Sequence, residues 1–266
     1  MNPTDAYLEK AGEILARVAA QKKAIEQAAE IFFNSISQGG MVHLFGSGHS
    51  RILVEEMWPR YGSFPGFNPI VELSLTFHNL VVGANGQRQA MFLENSSGLA
   101  ERILRNYNLS ARDSALVASS SGCNLVPIEM GQGFKKANLP LVAIVSKRHA
   151  EASQSRHPQG IKLQDIADIV LDTGAPVGDA MVKIPGLETA VAPGSTVGGC
   201  LLINCLKAEV ALRLVRAGLA PKVLTAGALI GQQKANEIFE AAYDEHSTRM
   251  AQLYSRVATT TSKPSS

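Results

Sequence analysis

Residues 41–50 read MVHLFGSGHS and residues 114–124 read SALVASSSGCN, and these two stretches decide the fold prediction. In each, a short apolar run typical of a buried strand ends in small polar residues, after which a helical pattern begins. A strand–turn–helix unit of this kind directs backbone N–H groups and a helix N-terminus at one place, which stabilises an anion. Serine hydroxyls add hydrogen-bond donors there without adding positive charge. Two such turns in one chain predict a pocket for a phosphorylated small molecule.

The composition is that of an ordinary globular protein and argues against several other classes. Of 266 residues, 45% are apolar and 18% are charged, and the formal net charge is +2. This balance gives no basic field for nucleic acid, and no run of roughly 18 apolar residues suggests a membrane span. The three cysteines lack metal or redox spacing, and the first residues lack an apolar signal core. We expect a cytoplasmic protein with neither nucleic-acid nor membrane partners.

Apolar runs of strand length alternate with helical patterns along most of the chain. This alternation predicts an α/β fold, a doubly wound parallel five-stranded sheet with flanking helices and right-handed crossovers. The predicted strands are residues 41–45, 70–75, 114–118, 141–146 and 169–172. Because both serine-rich turns follow strand C-termini, where ligands of such sheets bind, we expect the turns to converge.

Long helical patterns precede and follow the predicted strands in the sequence. One amphipathic helix is predicted from about Asp5 to Gln38, and another from about Leu229 to Val257. We expect a single domain over residues 1–257, with a helical extension over residues 1–38, and a disordered Ser/Thr-rich tail over residues 258–266. The first helix carries more apolar surface than a compact α/β domain needs, which predicts a homodimer or a higher homo-oligomer.

Motifs for a cofactor or a metal are incomplete or absent. Gly46 and Gly48 begin a dinucleotide fingerprint, but Arg51 stands where its third glycine belongs. Neither a Walker lysine motif nor HxH or HExxH spacing occurs, so we expect no cofactor and no metal. For either turn alone, ordinary helix capping is the alternative interpretation.

The second turn carries the most specific family resemblance. Its pattern Ser119-x-Ser121-Gly122-x-Asn124, with the arrangement over roughly residues 40–218, resembles the SIS (sugar isomerase) domain. That family is the phosphosugar-binding fold of ketose–aldose isomerases, phosphoheptose isomerases and related lyases. The resemblance implies that the matching hydroxyls hold a sugar phosphate, with Asn124 at a position usually held by Ser or Thr. The residues expected to bind phosphate or sugar are Gly48, His49, Ser50, Ser119, Ser120, Ser121, Asn124 and Arg60.

Three further segments resemble the N-acetylmuramic acid 6-phosphate etherases of the same family. Residues 56–62 (EMWPRYG) resemble the segment with the acid–base glutamate of those enzymes, if a gap of a few residues is placed after Ser50. Residues 92–95 (FLEN) resemble the segment with their second glutamate. Residues 193–196 (PGST) open a helical pattern where the etherases have a similar Gly-Thr-rich start.

The chain is also similar, over nearly its full length, to small stand-alone SIS proteins. The similar segments are residues 48–51 (GHSR), 54–57 (VEEM), 59–63 (PRYGS) and 83–90 (GANGQRQA). This group includes an N-acetylglucosamine-6-phosphate 2,3-dehydratase. The resemblance therefore implies a lyase that acts on an amino-sugar phosphate.

Dehydration of an open-chain 2-acetamido sugar needs a base for the C2 proton and an acid for the leaving 3-hydroxyl. One positioned carboxylate can serve both steps. Glu56 is the predicted acid–base residue, with Glu55 as the alternative, and Glu94 is predicted as a second acid–base group. A pKa raised toward neutrality by a partly desolvated pocket suits this role. The aromatic neighbours expected to desolvate Glu56 are Trp58, Tyr61 and Phe64.

Three other functions fit the same residues. An aldose–ketose phosphosugar isomerase also begins by removing a C2 proton, so its product, which keeps the substrate mass, is what distinguishes it. An etherase acting on N-acetylmuramic acid 6-phosphate would release lactate. A non-catalytic sugar-phosphate sensor of the regulator type would need a DNA-binding domain, and the single helix expected before the core does not supply one.

Several polar residues outside these motifs stand near predicted strand ends, where pocket groups gather. His49 lies inside the first turn, and His78, His149 and His157 lie in predicted loops. Asp179 has two interpretations that the sequence leaves open: it caps a turn, or it contacts the sugar.

Overall fold

Five short strands form one parallel sheet, in the order β2-β1-β3-β4-β5. The computed structural model describes residues 2–76 and 86–255. The strands are β1 (Val42–Gly46), β2 (Phe67–Ile70), β3 (Ser114–Ala118), β4 (Leu141–Val145) and β5 (Ile169–Asp172). The chain passes from β1 to β2 and then returns to β3 on the other side of β1, so the strand order reverses between β1 and β3. Loops diverge at such a reversal and open a crevice beyond the strand C-termini.

Helices flank the sheet, and the predicted α/β architecture is confirmed. The helices before the second serine-rich turn are α1 (Pro3–Ala19), α2 (Lys22–Ser37), α3 (Arg51–Met57), α4 (Leu73–Thr76), α5 (Gln87–Leu93) and α6 (Leu99–Leu104). Those after it are α7 (Leu125–Lys136), α8 (Lys147–Ala152), α9 (Leu163–Ile166), α10 (Ser195–Arg216), α11 (Gly227–Ile230) and α12 (Gln232–Tyr254). A separate antiparallel pair joins β6 (Ala180–Val182) to β7 (Val191–Pro193).

Both faces of the sheet are buried, which explains why its strands are continuous apolar runs rather than alternating ones. In β3, Leu116 and Ala118 lie in the cluster with helices α2, α3 and α10. The intervening Ala115 and Val117 lie in the cluster with α6 and α7. The C-terminal ends of β1 and β3 are therefore held rigidly from two sides, which fixes the position of the turns that follow them.

The N-terminal helical segment is two helices rather than the one predicted. The break falls at residues 20–21, where the side chain of Gln21 bonds to the end of the sheet. Gln21 Nε2 donates to the carbonyl oxygen of Asp172 at 2.8 Å, and Asp172 N donates to Gln21 Oε1 at 2.7 Å. Both helices contribute to the core, since Val18 of α1 and Phe32 of α2 are buried.

Strand β2 lies earlier than the predicted strand at residues 70–75. Pro69 is the reason for the error, because proline is usually evidence against a strand. β2 stands at the edge of the sheet, where a missing N–H leaves no partner unsatisfied.

The C-terminal helical pattern is also interrupted. Gly231, at φ +85°, separates α11 from α12, because a residue with a positive φ interrupts the helical backbone and glycine adopts it without strain. The described part of α12 ends at Tyr254. Predictions that fall on residues 77–85 and 256–266, including His78 and the disordered tail, lie outside the described residues.

The exposed side of α1 carries Leu8 and Leu15, which are 63% and 54% exposed. The homo-oligomer expected from the N-terminal helical segment stays a prediction. Within residues 2–76 and 86–255, no helix has the length and apolar character needed to cross a membrane.

Candidate functional site

A cavity of about 360 Å³ opens at the C-terminal ends of β1 and β3. Its polar lining residues are Ser47, His49, Ser50, Gln87, Glu94, Ser119, Ser120, Ser121, Asn124, His149, Thr173, Asp179, Ser195 and Thr196. The first turn (residues 46–50) and the second turn (residues 119–124) therefore converge, as the sequence predicts. The volume falls in the range of pockets that hold a small molecule.

The first turn is shaped by a close approach of its own backbone. A Cβ on Gly46 would lie 2.5 Å from the carbonyl oxygen of Ser50, so only glycine fits there. Ser50 N donates to Ser47 O at 3.0 Å, which closes a short 3₁₀ turn over Gly48–Ser50 before α3 begins. Gly48, His49 and Ser50 all line the cavity, and their contact with a sugar phosphate stays a prediction.

The second turn uses its hydroxyl oxygens to accept bonds from its own backbone. Ser119 Oγ accepts from Gly122 N, and Ser121 Oγ accepts from Cys123 N, each at 3.2 Å. A hydroxyl that accepts in this way keeps its proton for donation. The turn therefore presents O–H donors at the start of α7, a 12-residue helix whose N-terminus favours an anion.

Glu94, at the end of α5, places its carboxylate between the two turns. Ser47 Oγ of the first turn donates to Oε1, and Asn124 Nδ2 of the second turn donates to Oε2 at 2.5 Å. Burial raises the pKa of Glu94, and the two hydrogen bonds offset this only in part, so the net pKa lies above the usual glutamate value. A carboxyl with a raised pKa inside a cavity suits acid–base chemistry.

Asn124 has a role that its motif position does not disclose. The family resemblance implies contact with phosphate at this position, and in the structure the amide nitrogen donates to Glu94. The end of α5 in turn contacts the start of α7, because Val126 N donates to Glu94 O at 2.9 Å. Asn124 thus positions the carboxylate of Glu94.

The far wall of the cavity (His149, Thr173, Asp179, Ser195 and Thr196) comes from the β4 and β5 side of the sheet. Asp179 Oδ1 accepts from the backbone N–H groups of Gly194 and Ser195, at 3.0 and 2.6 Å, and Oδ2 accepts from Ser195 Oγ at 2.7 Å. Asp179 therefore caps the N-terminus of α10. It also lines the cavity, so its contact with the sugar stays a prediction. Thr173, which follows β5 directly, also lines the cavity, although no sequence motif marks it.

Glu55, Glu56 and Arg60 lie outside this cavity. They line a separate groove between α3 and α12, together with Tyr61 and Phe239. We call it the α3 groove. The reason is the direction of α3, which starts beside the cavity and runs away from it. At 1.5 Å per residue, Glu56 stands roughly 9 Å along the helix axis from Ser50.

The electrostatics of Glu56 also differ from the expectation of a raised pKa. Burial raises the pKa, but hydrogen bonds from Asn204 Nδ2 (2.7 Å to Oε1) and from Arg60 outweigh it, so the net pKa is lowered. The aromatic ring of Trp58 packs at a tilt against Tyr243 and His246, at centroid distances of 5.5 and 5.2 Å. Glu55 is exposed and pairs with Arg51 at 3.5 Å.

Comparisons with known proteins agree with the resemblance seen in the sequence. The family model of the SIS domain matches residues 6–146. A UPF0309 protein of Thermoanaerobacter pseudethanolicus is 32% identical over 235 residues, covering 86% of this chain and 93% of the relative. A UPF0309 protein of Geobacillus kaustophilus is 31% identical over 240 residues, covering 90% of this chain and 93% of the relative.

Among solved structures, a phosphoheptose isomerase from Francisella tularensis matches with a TM-score of 0.48 and 16% identity, covering 78% of this chain and 95% of that one. The NanR protein of Vibrio vulnificus complexed with ManNAc-6P matches with a TM-score of 0.48 and 16% identity, covering 91% and 69%. The family assignment rests on the domain match and the UPF0309 relatives. The chain belongs to the SIS domain family of phosphosugar-binding proteins, and within it to the UPF0309 family.

Proposed function

We propose that the protein is a phosphosugar lyase that removes water across C2 and C3 of N-acetylglucosamine 6-phosphate or a closely related amino-sugar phosphate. The observation that carries the proposal is the half-buried carboxylate of Glu94, which is hydrogen-bonded to both serine-rich turns and has a raised pKa. The SIS domain supplies the ligand class. The choice of a dehydratase follows the resemblance to the stand-alone SIS proteins described above.

The phosphate binds at the second turn. Ser119, Ser120 and Ser121 line the cavity. The hydroxyls of Ser119 and Ser121 are already oriented, because each accepts a hydrogen bond from a backbone N–H group. Oriented donors cost little reorganisation when an anion arrives. Binding energy from the phosphate, which is remote from the reacting carbons, then orients the sugar.

Glu94 acts on the carbons next to the aldehyde. As a carboxylate it takes the C2 proton, and the electron pair of the C2–H bond forms an enolate with C1 and its oxygen. The enolate then expels the 3-hydroxyl as the C3–O bond breaks, C2=C3 forms and the C1 carbonyl returns. Glu94 returns its proton to the departing oxygen, so the products are water and an unsaturated aldehyde. A raised pKa suits a group that must both take and give this proton.

An aldose–ketose isomerase is the second candidate, because the same carboxylate can start either reaction. On an aldose phosphate with a 2-hydroxyl, an isomerase would return the proton to C1 while the proton of the 2-hydroxyl passes to the C1 oxygen. The product, a ketose phosphate, would keep the mass of the substrate. Glu56 is not assigned the base role in either reaction, since it lies in the α3 groove and its pKa is lowered.

The test is incubation of the protein with N-acetylglucosamine 6-phosphate in deuterated water, followed by NMR, ultraviolet absorbance and mass spectrometry. We expect loss of the C2 proton signal and a conjugated product lighter by one water. N-acetylglucosamine without phosphate is the control, and we expect it to react far more slowly. With glucose 6-phosphate, which has a 2-hydroxyl, a ketose product of unchanged mass in ordinary water would favour the isomerase. The absence of C2 chemistry with both sugar phosphates would contradict both functions.

A further inference from the structure

We propose that His149 is a second catalytic residue, whose Nε2–H donates a hydrogen bond to the oxygen on C1 of the substrate. This inference rests on the function proposed above and names the group that stabilises the enolate. His149 takes no part in the phosphate binding or the proton transfer proposed above. It lines the same cavity as Glu94, on the far wall.

The tautomer of His149 is set by a backbone hydrogen bond. Gly178 N donates to His149 Nδ1 at 3.1 Å. A ring nitrogen that accepts a hydrogen bond carries no proton, so the proton of the neutral ring is on Nε2. The donor of the ring is therefore the nitrogen that Gly178 does not engage.

The orientation of the ring is fixed by elements anchored elsewhere. Gly178 precedes Asp179, which caps α10 through three hydrogen bonds. The backbone of His149 belongs to α8, directly after β4, and its carbonyl oxygen accepts from Ser153 Oγ at 2.7 Å. A donor held on both sides in this way is preorganised, which is what makes such groups effective at a developing charge.

Glu94 and His149 stand on different sides of the second turn. Glu94 bonds to Ser47 after β1 and to Asn124 before α7. His149 follows β4 and bonds to the loop after β5. β3, whose C-terminal end carries the second turn, lies between β1 and β4 in the sheet. A sugar held by its phosphate at that turn thus has a carboxylate on one side and an N–H donor on the other.

The proposed dehydration needs a hydrogen-bond donor at the C1 oxygen of the sugar. When Glu94 takes the C2 proton, negative charge builds on the C1 oxygen. A neutral imidazole N–H stabilises that charge by a hydrogen bond, and no proton passes to or from His149. Loss of one such preorganised donor costs on the order of 100-fold in kcat.

Two variants separate this role from a structural one. In His149→Asn, the side-chain oxygen can still accept from Gly178 N but no donor reaches the Nε2 position. In His149→Gln, the amide reaches that position and can donate. We expect His149→Asn to lower kcat about 100-fold with KM changed less than about threefold, and His149→Gln to recover at least about tenfold of that loss.

Wild-type protein is assayed first with N-acetylglucosamine 6-phosphate for loss of the C2 proton. If the wild type shows no C2 chemistry, the proposed function itself fails. If the wild type is active, equal kcat values for the two variants overturn the role of His149, whether both are near the wild type or both are lost. Thermal unfolding of each variant is followed in parallel. If His149→Asn is unfolded and His149→Gln is folded, the role of His149 is structural and the proposal is overturned.

Discussion

Asn124 Nδ2 lies 2.5 Å from Glu94 Oε2, and this contact joins the residue before α7 to a half-buried carboxylate that both serine-rich turns share. Ser47 Oγ holds the other oxygen from the first turn. Each oxygen of Glu94 thus has a donor from a different turn, and the carboxylate bridges the two strand ends. The site is therefore one unit rather than two independent phosphate loops.

Glu94→Gln should abolish turnover without abolishing binding. Glutamine has nearly the same shape but cannot take the C2 proton, so we expect kcat to fall by about 10²- to 10⁴-fold. The dissociation constant for the sugar phosphate, measured by calorimetry, should change by only a few fold. Glu129→Gln is the matched control, because Glu129 also accepts two hydrogen bonds but caps α6 outside the cavity. Similar kcat values for the two variants would contradict the assignment.

The same substitution should make the free energy of unfolding less dependent on pH. The pKa of Glu94 is raised in the folded protein, so the folded state holds its proton to a higher pH than the unfolded state does. Between the usual glutamate pKa and the raised one, the free energy of unfolding of the wild type therefore falls as pH rises. Glu94→Gln lacks this fall.

Urea unfolding at about pH 4 and about pH 7 measures this difference. We expect the free energy of unfolding of Glu94→Gln, relative to the wild type, to be larger at the higher pH. A difference that is constant or shrinks with pH would show that burial does not penalise the ionised carboxylate.

Ser121→Ala should weaken binding of phosphorylated ligands only. Its hydroxyl accepts from Cys123 N and keeps its proton for the phosphate, and a hydrogen bond to a charged group is worth about 10- to 100-fold in affinity. Titration calorimetry with the sugar phosphate and with inorganic phosphate should show this loss. The corresponding unphosphorylated sugar is the control ligand. An equal loss for that sugar would mean that the turn does not hold the phosphate.

Glu56→Gln should leave the chemistry almost intact. Glu56 lies in the α3 groove, where Asn204 and Arg60 engage its carboxylate. We expect kcat within about tenfold of the wild type and a loss of less than about 1 kcal/mol in the free energy of unfolding, because Arg60 is exposed. A loss of kcat comparable to that of Glu94→Gln would return the base role to Glu56.

The parts of the fold that sequence could predict are those set by local pattern. The buried runs of β1, β3, β4 and β5 and the two turns follow from apolar periodicity and from small polar residues at strand ends. The break between α1 and α2 depends on Gln21 reaching Asp172, which is 151 residues away in sequence. A local sequence pattern cannot predict a contact between residues so far apart in the chain.

The same limit applies to the site. A local resemblance identified both Glu56 and Glu94, but only the tertiary path of α3 separates Glu56 from the cavity. The link between Gly178 and His149 likewise spans 29 residues and appears only once the β4 and β5 ends are side by side. The sequence therefore predicts which turns bind, whereas the fold determines which carboxylate they surround.

The most direct measurement is proton NMR of N-acetylglucosamine 6-phosphate in deuterated water with wild-type protein and with Glu94→Gln. We expect the C2 proton signal to disappear with the wild type and to persist with the variant over the same time. A C2 proton that persists with the wild type, or that disappears equally fast with Glu94→Gln, would contradict the claim that Glu94 performs the proton chemistry of this cavity.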